Sequence, residues 1–167
     1  SYGALGVKIS ECRSVLATAV IVVSMGSIAA AGGPEDVVCM SVDAADAANN
    51  IVADLREEYR AAYRVGTHDC VFPRNEREVA GAWSDHQDRL YTELRAAGLS
   101  GLGGSSFTSV VLFEPDGRIS HYFFSGLDGD VGDTFCGVIR DLAADYRFPL
   151  AAETRFSQCG TTHFGAE

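Results

Sequence analysis

The stretch from Ser14 to Gly33 reads SVLATAVIVVSMGSIAAAGG, twenty residues without a charged side chain. A helix rises about 1.5 Å per residue, so this stretch would span roughly 30 Å, the thickness of a bilayer's hydrocarbon core. Lys8 and Arg13 precede it, and the positive-inside rule places such a tail in the cytoplasm. The sequence therefore predicts a cytoplasmic tail at 1–13, a transmembrane signal anchor at 14–33 and a periplasmic domain at 34–167, in a bacterial inner membrane.

The small residues of this stretch allow a second interpretation. Ala29, Ala30 and Ala31 have the spacing of a signal-peptidase site, and cleavage after Ala31 would release a secreted periplasmic domain. Gly26 and Ala30 lie four positions apart, a spacing that lets another membrane helix approach closely. We favour the uncleaved anchor, with Gly26 and Ala30 as candidate helix-packing residues.

The domain after the stretch is acidic. The whole chain carries a formal charge of −10, and because residues 1–33 sum to +1, residues 34–167 carry −11. Nucleic acids and anionic lipid surfaces require clustered cations on the protein. The charge therefore disfavours both as partners of this domain.

Four of the five cysteines follow the apolar stretch: Cys39, Cys70, Cys136 and Cys159. An even number of cysteines in an exported domain is typical of disulfides, and four cysteines allow three connectivities. The alternative is that some of them are small buried residues. The sequence predicts two disulfides among these candidates and leaves their pairing open.

The pattern of apolar residues predicts an α+β fold with about three helices and a small, mostly antiparallel sheet. Helical periodicity predicts helices at 43–63, 76–97 and 128–146. Strands are predicted at 37–40, 107–113, 118–125 and 153–158. The two middle strands flank Pro115-Asp116-Gly117, a sequence typical of a hairpin turn.

The segment from Gly104 to Phe156 resembles the C-terminal domain of TonB and the related C-terminal domain of gliding-motility proteins. The resemblance depends on VVLFEPDGRI (Val110 to Ile119), on the helix exit from Tyr146 to Pro149, and on Cys136 near the start of the helix. It implies a small α+β fold and, as an alternative function, envelope energy coupling. TonB proteins carry a long proline-rich spacer, whereas this chain contains four prolines in all.

No motif in the chain predicts a metal site. The residues considered for zinc are His68, Cys70, Cys159 and His163, whose spacing differs from that of the usual zinc motifs. The residues considered for calcium are Asp128, Asp130 and Asp133, which lack the other ligands of an EF-hand loop. Negative charge at a helix N-terminus explains these aspartates more simply.

The sequence also predicts no catalytic residue and no cofactor. His86 is interpreted as a residue on a helix surface and His121 as a strand residue. The predicted function is a non-enzymatic, single-pass accessory subunit of a larger membrane complex (respiratory, photosynthetic, transport or motility). It would pack on other membrane-protein subunits through its transmembrane helix and its periplasmic domain. Exposed edges of the small sheet are candidate partner surfaces, and helices covering both faces of the sheet are the alternative.

Overall fold

The computed structural model describes residues 37–48, 51–63, 69–99 and 106–163. The strands are β1 (Val38–Ser41), β2 (Arg60–Ala61), β3 (Ser106–Phe113), β4 (Ile119–Ser125) and β5 (Phe156–His163). The helices are α1 (Val42–Ala47), α2 (Ile51–Glu58), α3 (Glu76–Ala96) and α4 (Gly129–Asp145). Together these elements form a small α+β domain.

β3 lies at the centre of the five-stranded sheet, whose strand order is β1-β4-β3-β5-β2. It pairs antiparallel with both β4 and β5, whereas β1 runs parallel to β4 and β2 runs parallel to β5. The sheet is therefore mixed, which corrects the predicted mostly antiparallel sheet. Parallel neighbours need a long crossover connection, and the chain between each outer strand and its neighbour contains at least one helix.

Most of the predicted elements are present. The helices predicted at 76–97 and 128–146 correspond to α3 and α4, and the predicted hairpin corresponds to β3 and β4. The single helix predicted at 43–63 is wrong, because α1, α2 and β2 occupy that range. Arg60 and Ala61 pair with β5, so tertiary strand pairing replaces the helix that the local periodicity predicted.

The membrane-anchored architecture is corrected as well. Across the described residues, no helix combines the length and the apolar character needed to cross a bilayer. The predicted anchor at 14–33, with Gly26 and Ala30, lies outside the described residues. Within the described residues the fold class is therefore corrected to a small α+β domain, and no helix of this part of the chain supports the inner-membrane localisation that was predicted from the anchor.

The sheet separates two hydrophobic cores. One core lies between the sheet and helices α3 and α4, and the other lies on the face of α1 and α2. The three consecutive aromatic residues of β4 divide between them, because side chains of a strand alternate between faces. Tyr122 and Phe124 lie in the first core and Phe123 in the second.

A disulfide joins Cys39 of β1 to Cys136 of α4, with the two Cα atoms 5.4 Å apart. It links positions 97 residues apart in sequence and so fixes the edge strand β1 to the helix layer. Of the other two disulfide candidates, Cys70 is buried and Cys159 is half-buried beside the second core.

The hairpin turn packs against the chain that leaves α4. The N–H of Phe148 donates a hydrogen bond to the carbonyl O of Gly117 at 2.8 Å. Gly117 has a φ of +81°, and a Cβ at this position would overlap the backbone of Phe148. Glycine is therefore required here for two reasons, the left-handed backbone and the close approach of a second segment.

Replacing Gly117 by alanine tests this contact against a matched glycine. Gly98 has a φ of +83°, but a Cβ added there would meet nothing within 4 Å, so Gly98→Ala incurs backbone strain alone, about 1 kcal/mol. We expect Gly117→Ala to lower the free energy of unfolding by roughly 3 kcal/mol, because overpacking adds to the strain. Urea denaturation measures both values, and equal losses would contradict the close packing of the turn.

Candidate functional site

A group of polar side chains lies inside the first core, beneath α3. We call it the His86 cluster, and it consists of His86, Gln87, Ser109, Tyr122 and Tyr146. All five are buried. They come from α3, β3, β4 and the residue that follows α4, so the folded domain brings together side chains that are distant in sequence.

Strand alternation places Ser109 in this core. Phe107, Val111 and Phe113 of β3 point toward α3 and α4, and Ser109 occupies the same row because side chains two residues apart share a face. In the neighbouring strand, Tyr122 pairs with Val111. A polar hydroxyl from each strand therefore lies in a row that is otherwise apolar.

Trp83 and Gly160 determine how closely α3 approaches the sheet. Gly160 of β5 is the register partner of Ser109, and a Cβ at Gly160 would lie 2.7 Å from Nε1 of Trp83. The Trp83 ring stacks on the His86 ring, with centroids 5.0 Å apart. The absence of a side chain at residue 160 thus makes room for Trp83, which supports His86 from one side.

The other contacts of His86 are also aromatic. Its ring centroid lies 4.8 Å from that of Tyr146 and 6.1 Å from that of Tyr122. The side chain of His86 is entirely inaccessible to solvent. The imidazole is therefore enclosed by three larger rings.

Several polar atoms of the cluster are buried without a hydrogen bond of normal length and angle. They are Nδ1 and Nε2 of His86, Nε2 of Gln87, Oγ of Ser109, and the hydroxyl oxygens of Tyr122 and Tyr146. The Oε1 atom of Gln87 does accept a hydrogen bond, from the hydroxyl of Thr162. Buried polar groups in folded proteins are satisfied in roughly 90% of cases or more. Their concentration here makes the His86 cluster the strongest candidate binding site in the described residues.

The cluster is uncharged at neutral pH. Burial, with a smaller contribution from the positive charge of Arg89, lowers the pKa of His86 to about 3. Burial raises the pKa of Tyr122, and hydrogen bonding with the Ser109 and Gln87 side chains lowers it by a smaller amount. Burial also raises the pKa of Tyr146. The imidazole, amide and hydroxyl groups are therefore all neutral, and they offer both donors and acceptors.

A second polar group lies on the opposite face of the sheet, and we call it the Tyr59 cluster: Tyr59, Glu114, Ser120, His121 and Arg155. A bulge in β4 creates it, because Leu112 pairs with His121 while Phe113 pairs with Ile119. Ser120 is the extra residue of this bulge. Bulges re-aim side chains, and this one brings Oγ of Ser120 to 3.1 Å from Nδ1 of His121.

Hydrogen bonds within the Tyr59 cluster connect three segments of the chain. The Tyr59 hydroxyl donates to Oε1 of Glu114 at 3.0 Å and lies 3.2 Å from Oγ of Ser120. Nε of Arg155 donates to Oε2 of Glu114 at 3.1 Å, and the Arg155 guanidinium lies over the Tyr59 ring. These contacts join the end of α2, the hairpin and the start of β5.

The same contacts limit what Ser120 can do chemically. A serine beside a histidine is the first requirement of a nucleophilic pair, and burial lowers the pKa of His121, which favours a neutral base. However, the Ser120 hydroxyl also donates to the carbonyl O of Leu112 at 3.2 Å, and a hydroxyl carries one proton. The arrangement therefore fits a structural clamp better than an activated nucleophile.

The structure brings some of the sequence-predicted residues together and corrects the predicted position of another. Cys39 and Cys136 form a disulfide, and His121 lies in β4 as expected. His68 lies outside the described residues, and in the parts of the chain that are described, no group of three or more His, Cys, Asp or Glu could hold a metal. The prediction that His86 lies on the helix surface is wrong, since it is fully buried.

The helical spacing contained the signal for His86. Val79, Trp83, Leu90 and Leu94 are buried on one face of α3, and position 86 lies three residues after Trp83 and four before Leu90. That spacing places a side chain on the same face. Tyr122 and Ser109 had no comparable signal, because each belongs to a strand pattern that apolar residues complete, and Tyr146 lies just beyond the end of α4.

Comparison of the chain with protein-family models, curated proteins and solved structures finds no match. The resemblance to the TonB-type domain stays a prediction.

Protonation of His86 should make the domain sensitive to acid. The unfolded chain binds this proton below about pH 6.5 and the folded domain only below about pH 3, so stability falls as the pH drops through this interval. One such proton lowers the free energy of unfolding by about 1.4 kcal/mol per pH unit. We expect His86→Phe to remove this component of the pH dependence, measured by urea denaturation followed through the fluorescence of Trp83.

His163 provides the matched control, because it is exposed at the end of β5. His163→Phe should keep the acid sensitivity of the natural chain. A parallel loss of stability in His86→Phe and in the natural chain between about pH 6.5 and pH 4 would contradict an acid sensitivity that comes from the buried His86.

Proposed function

We propose that this domain is a non-enzymatic accessory subunit of a larger protein assembly and that it binds its partner protein through the open edge of the sheet, β1. The observation that carries the proposal is the strand order, which places β1 at one end of the sheet. The outer edge of a strand presents backbone N–H and C=O groups. Such an edge binds an extended segment of a partner by continuing the sheet.

The two edges of the sheet differ. The outer side of β2 is covered by the chain itself, since the N–H groups of Val71 and Phe72 donate to the carbonyl O atoms of Ala61 and Ala62, both at 2.9 Å. Among the described residues, no strand lies beyond β1. β1 is therefore the edge that a partner can extend.

β1 also lacks the usual protection of an edge strand. Natural edges are commonly blocked by lysine, proline or a bulge, whereas β1 has the sequence VCMS and pairs with β4 over four consecutive residues. The Cys39–Cys136 disulfide holds it against α4. A strand that is already ordered loses less conformational entropy on binding.

The charge around this edge supports a particular kind of partner. Asp43 and Asp46 of α1 follow β1 directly and are exposed. An extended segment that carries lysine or arginine beside its apolar residues would complement these carboxylates. The hydrogen bonds that engage Ser120 and Glu114 within the Tyr59 cluster support a non-enzymatic role for that cluster.

A charge on β1 tests the proposal. Val38 is half-buried in β1, and Val38→Lys should block strand addition, because a lysine on an edge strand disfavours a new neighbour. We expect the full chain, purified from its natural cells, to elute with a second protein at a fixed ratio and the Val38→Lys variant to elute alone. Light scattering measures the mass of each species.

Ala144 supplies the matched control, since it is exposed on α4. Ala144→Lys adds the same charge away from β1 and should keep the partner. A natural chain that elutes as a lone 17.7 kDa monomer, or a Val38→Lys variant that keeps the partner, would contradict the proposal.

A further inference from the structure

The buried polar side chains of the His86 cluster lie next to one another. Ring contacts connect His86 to both Tyr122 and Tyr146. The Ser109 and Gln87 side chains lie close enough to the Tyr122 hydroxyl to lower its pKa by hydrogen bonding, but none of these polar atoms makes a hydrogen bond of normal length and angle. Thus these polar atoms are grouped in one part of the core.

A core made only of apolar side chains would avoid the free-energy cost of burying these hydroxyl and amide groups. Phenylalanine in place of the tyrosines, or alanine in place of Ser109, would leave no hydroxyl to satisfy, and a buried hydroxyl or amide without a partner is destabilising. A group of donors and acceptors from four segments is instead the arrangement that a bound polar molecule satisfies. Buried water typically makes about three such hydrogen bonds.

We propose that the His86 cluster binds a small, uncharged molecule that both donates and accepts hydrogen bonds, held between the Tyr122 and Tyr146 hydroxyls, Ser109 and the imidazole. The chemistry of the cluster selects this class. Its five side chains are neutral, so an ion would be buried without a counter-charge. Two sources share this chemistry, ordered water and a small polar organic solute.

The nearest charges lie at the margin of the cluster. The guanidinium of Arg89 lies 5.9 Å from the centroid of the Tyr146 ring, and Asp85 is the carboxylate whose charge acts on Tyr146. These two charges are of opposite sign and leave no net charge to attract an ion. Both charges therefore act on the cluster at Tyr146.

Removing a hydroxyl tests the proposal through the sign of the change in stability. If a bound molecule satisfies the hydroxyls, Tyr122→Phe and Tyr146→Phe each break a hydrogen bond, and each should lower the folding equilibrium constant about tenfold. If the hydroxyls have no partner, the same changes remove a buried penalty and raise that constant. Each variant deletes one oxygen atom and keeps the ring, and urea denaturation of the full chain measures it.

Tyr59→Phe is the benchmark for a hydroxyl with known partners, because Tyr59 hydrogen-bonds Glu114 and lies within reach of Ser120. We expect Tyr122→Phe and Tyr146→Phe to change stability in the same direction as Tyr59→Phe. A change in the opposite direction for both variants would overturn the proposal.

A double-mutant cycle separates a shared bound molecule from a direct contact. No hydrogen bond or ring contact in the described residues joins Ser109 to Tyr146. If both bind the same molecule, the combined variant Ser109→Ala/Tyr146→Phe should lower the folding equilibrium constant by less than the product of the two single fold-changes. The reason is that the effects of residues that share a partner are not independent. Purely multiplicative losses would contradict a common bound molecule.

Native mass spectrometry of the full chain distinguishes the two sources. A polar organic solute adds its mass to the chain, and Tyr122→Phe reduces the fraction that carries it. If the bound molecule is water, the measured mass is that of the chain without an addition, and urea denaturation still shows a loss of stability in both tyrosine variants.

Discussion

The contact between Trp83 and Gly160 is the constraint on which the first core depends. A side chain at residue 160 would meet the indole ring at 2.7 Å, so the glycine allows α3 to lie close to β5. That position puts His86 against the Trp83 ring and lets Gln87 accept a hydrogen bond from Thr162. The polar cluster beneath α3 therefore follows from one missing Cβ in the facing strand, and its buried imidazole is held by packing.

The proposed partner edge and the His86 cluster both depend on the sheet that is built around the central strand β3. Its neighbours on both edges and the two cores on its faces fix the side chains around it. Tyr122 connects the proposed binding edge to the His86 cluster, because its backbone is the register partner of Cys39 in β1 while its side chain lies under α3. The partner edge and the buried cluster thus lie on adjacent strands of one sheet.

The local sequence predicted the elements better than their arrangement. Pro115-Asp116-Gly117 between two β-branched and aromatic runs predicted the hairpin, and the apolar spacing of 76–97 predicted α3, because both depend on neighbours in sequence. The parallel pairing of β1 with β4 and of β2 with β5 could not be predicted, since it depends on partners far along the chain. His86 could have been placed inward from its spacing to Trp83 and Leu90. The bulge at Ser120 carried no local signal, and the cluster of buried hydroxyls required knowledge of strand register.

A crystal structure of the full chain at high resolution, collected at neutral pH, tests most directly whether the His86 cluster encloses a bound neutral molecule. We expect ordered electron density within hydrogen-bonding distance, about 2.7–3.2 Å, of the Tyr122 and Tyr146 hydroxyls and of one His86 nitrogen. Direct contact among these side chains, with each hydroxyl bonded to another protein atom and no density between them, would contradict it.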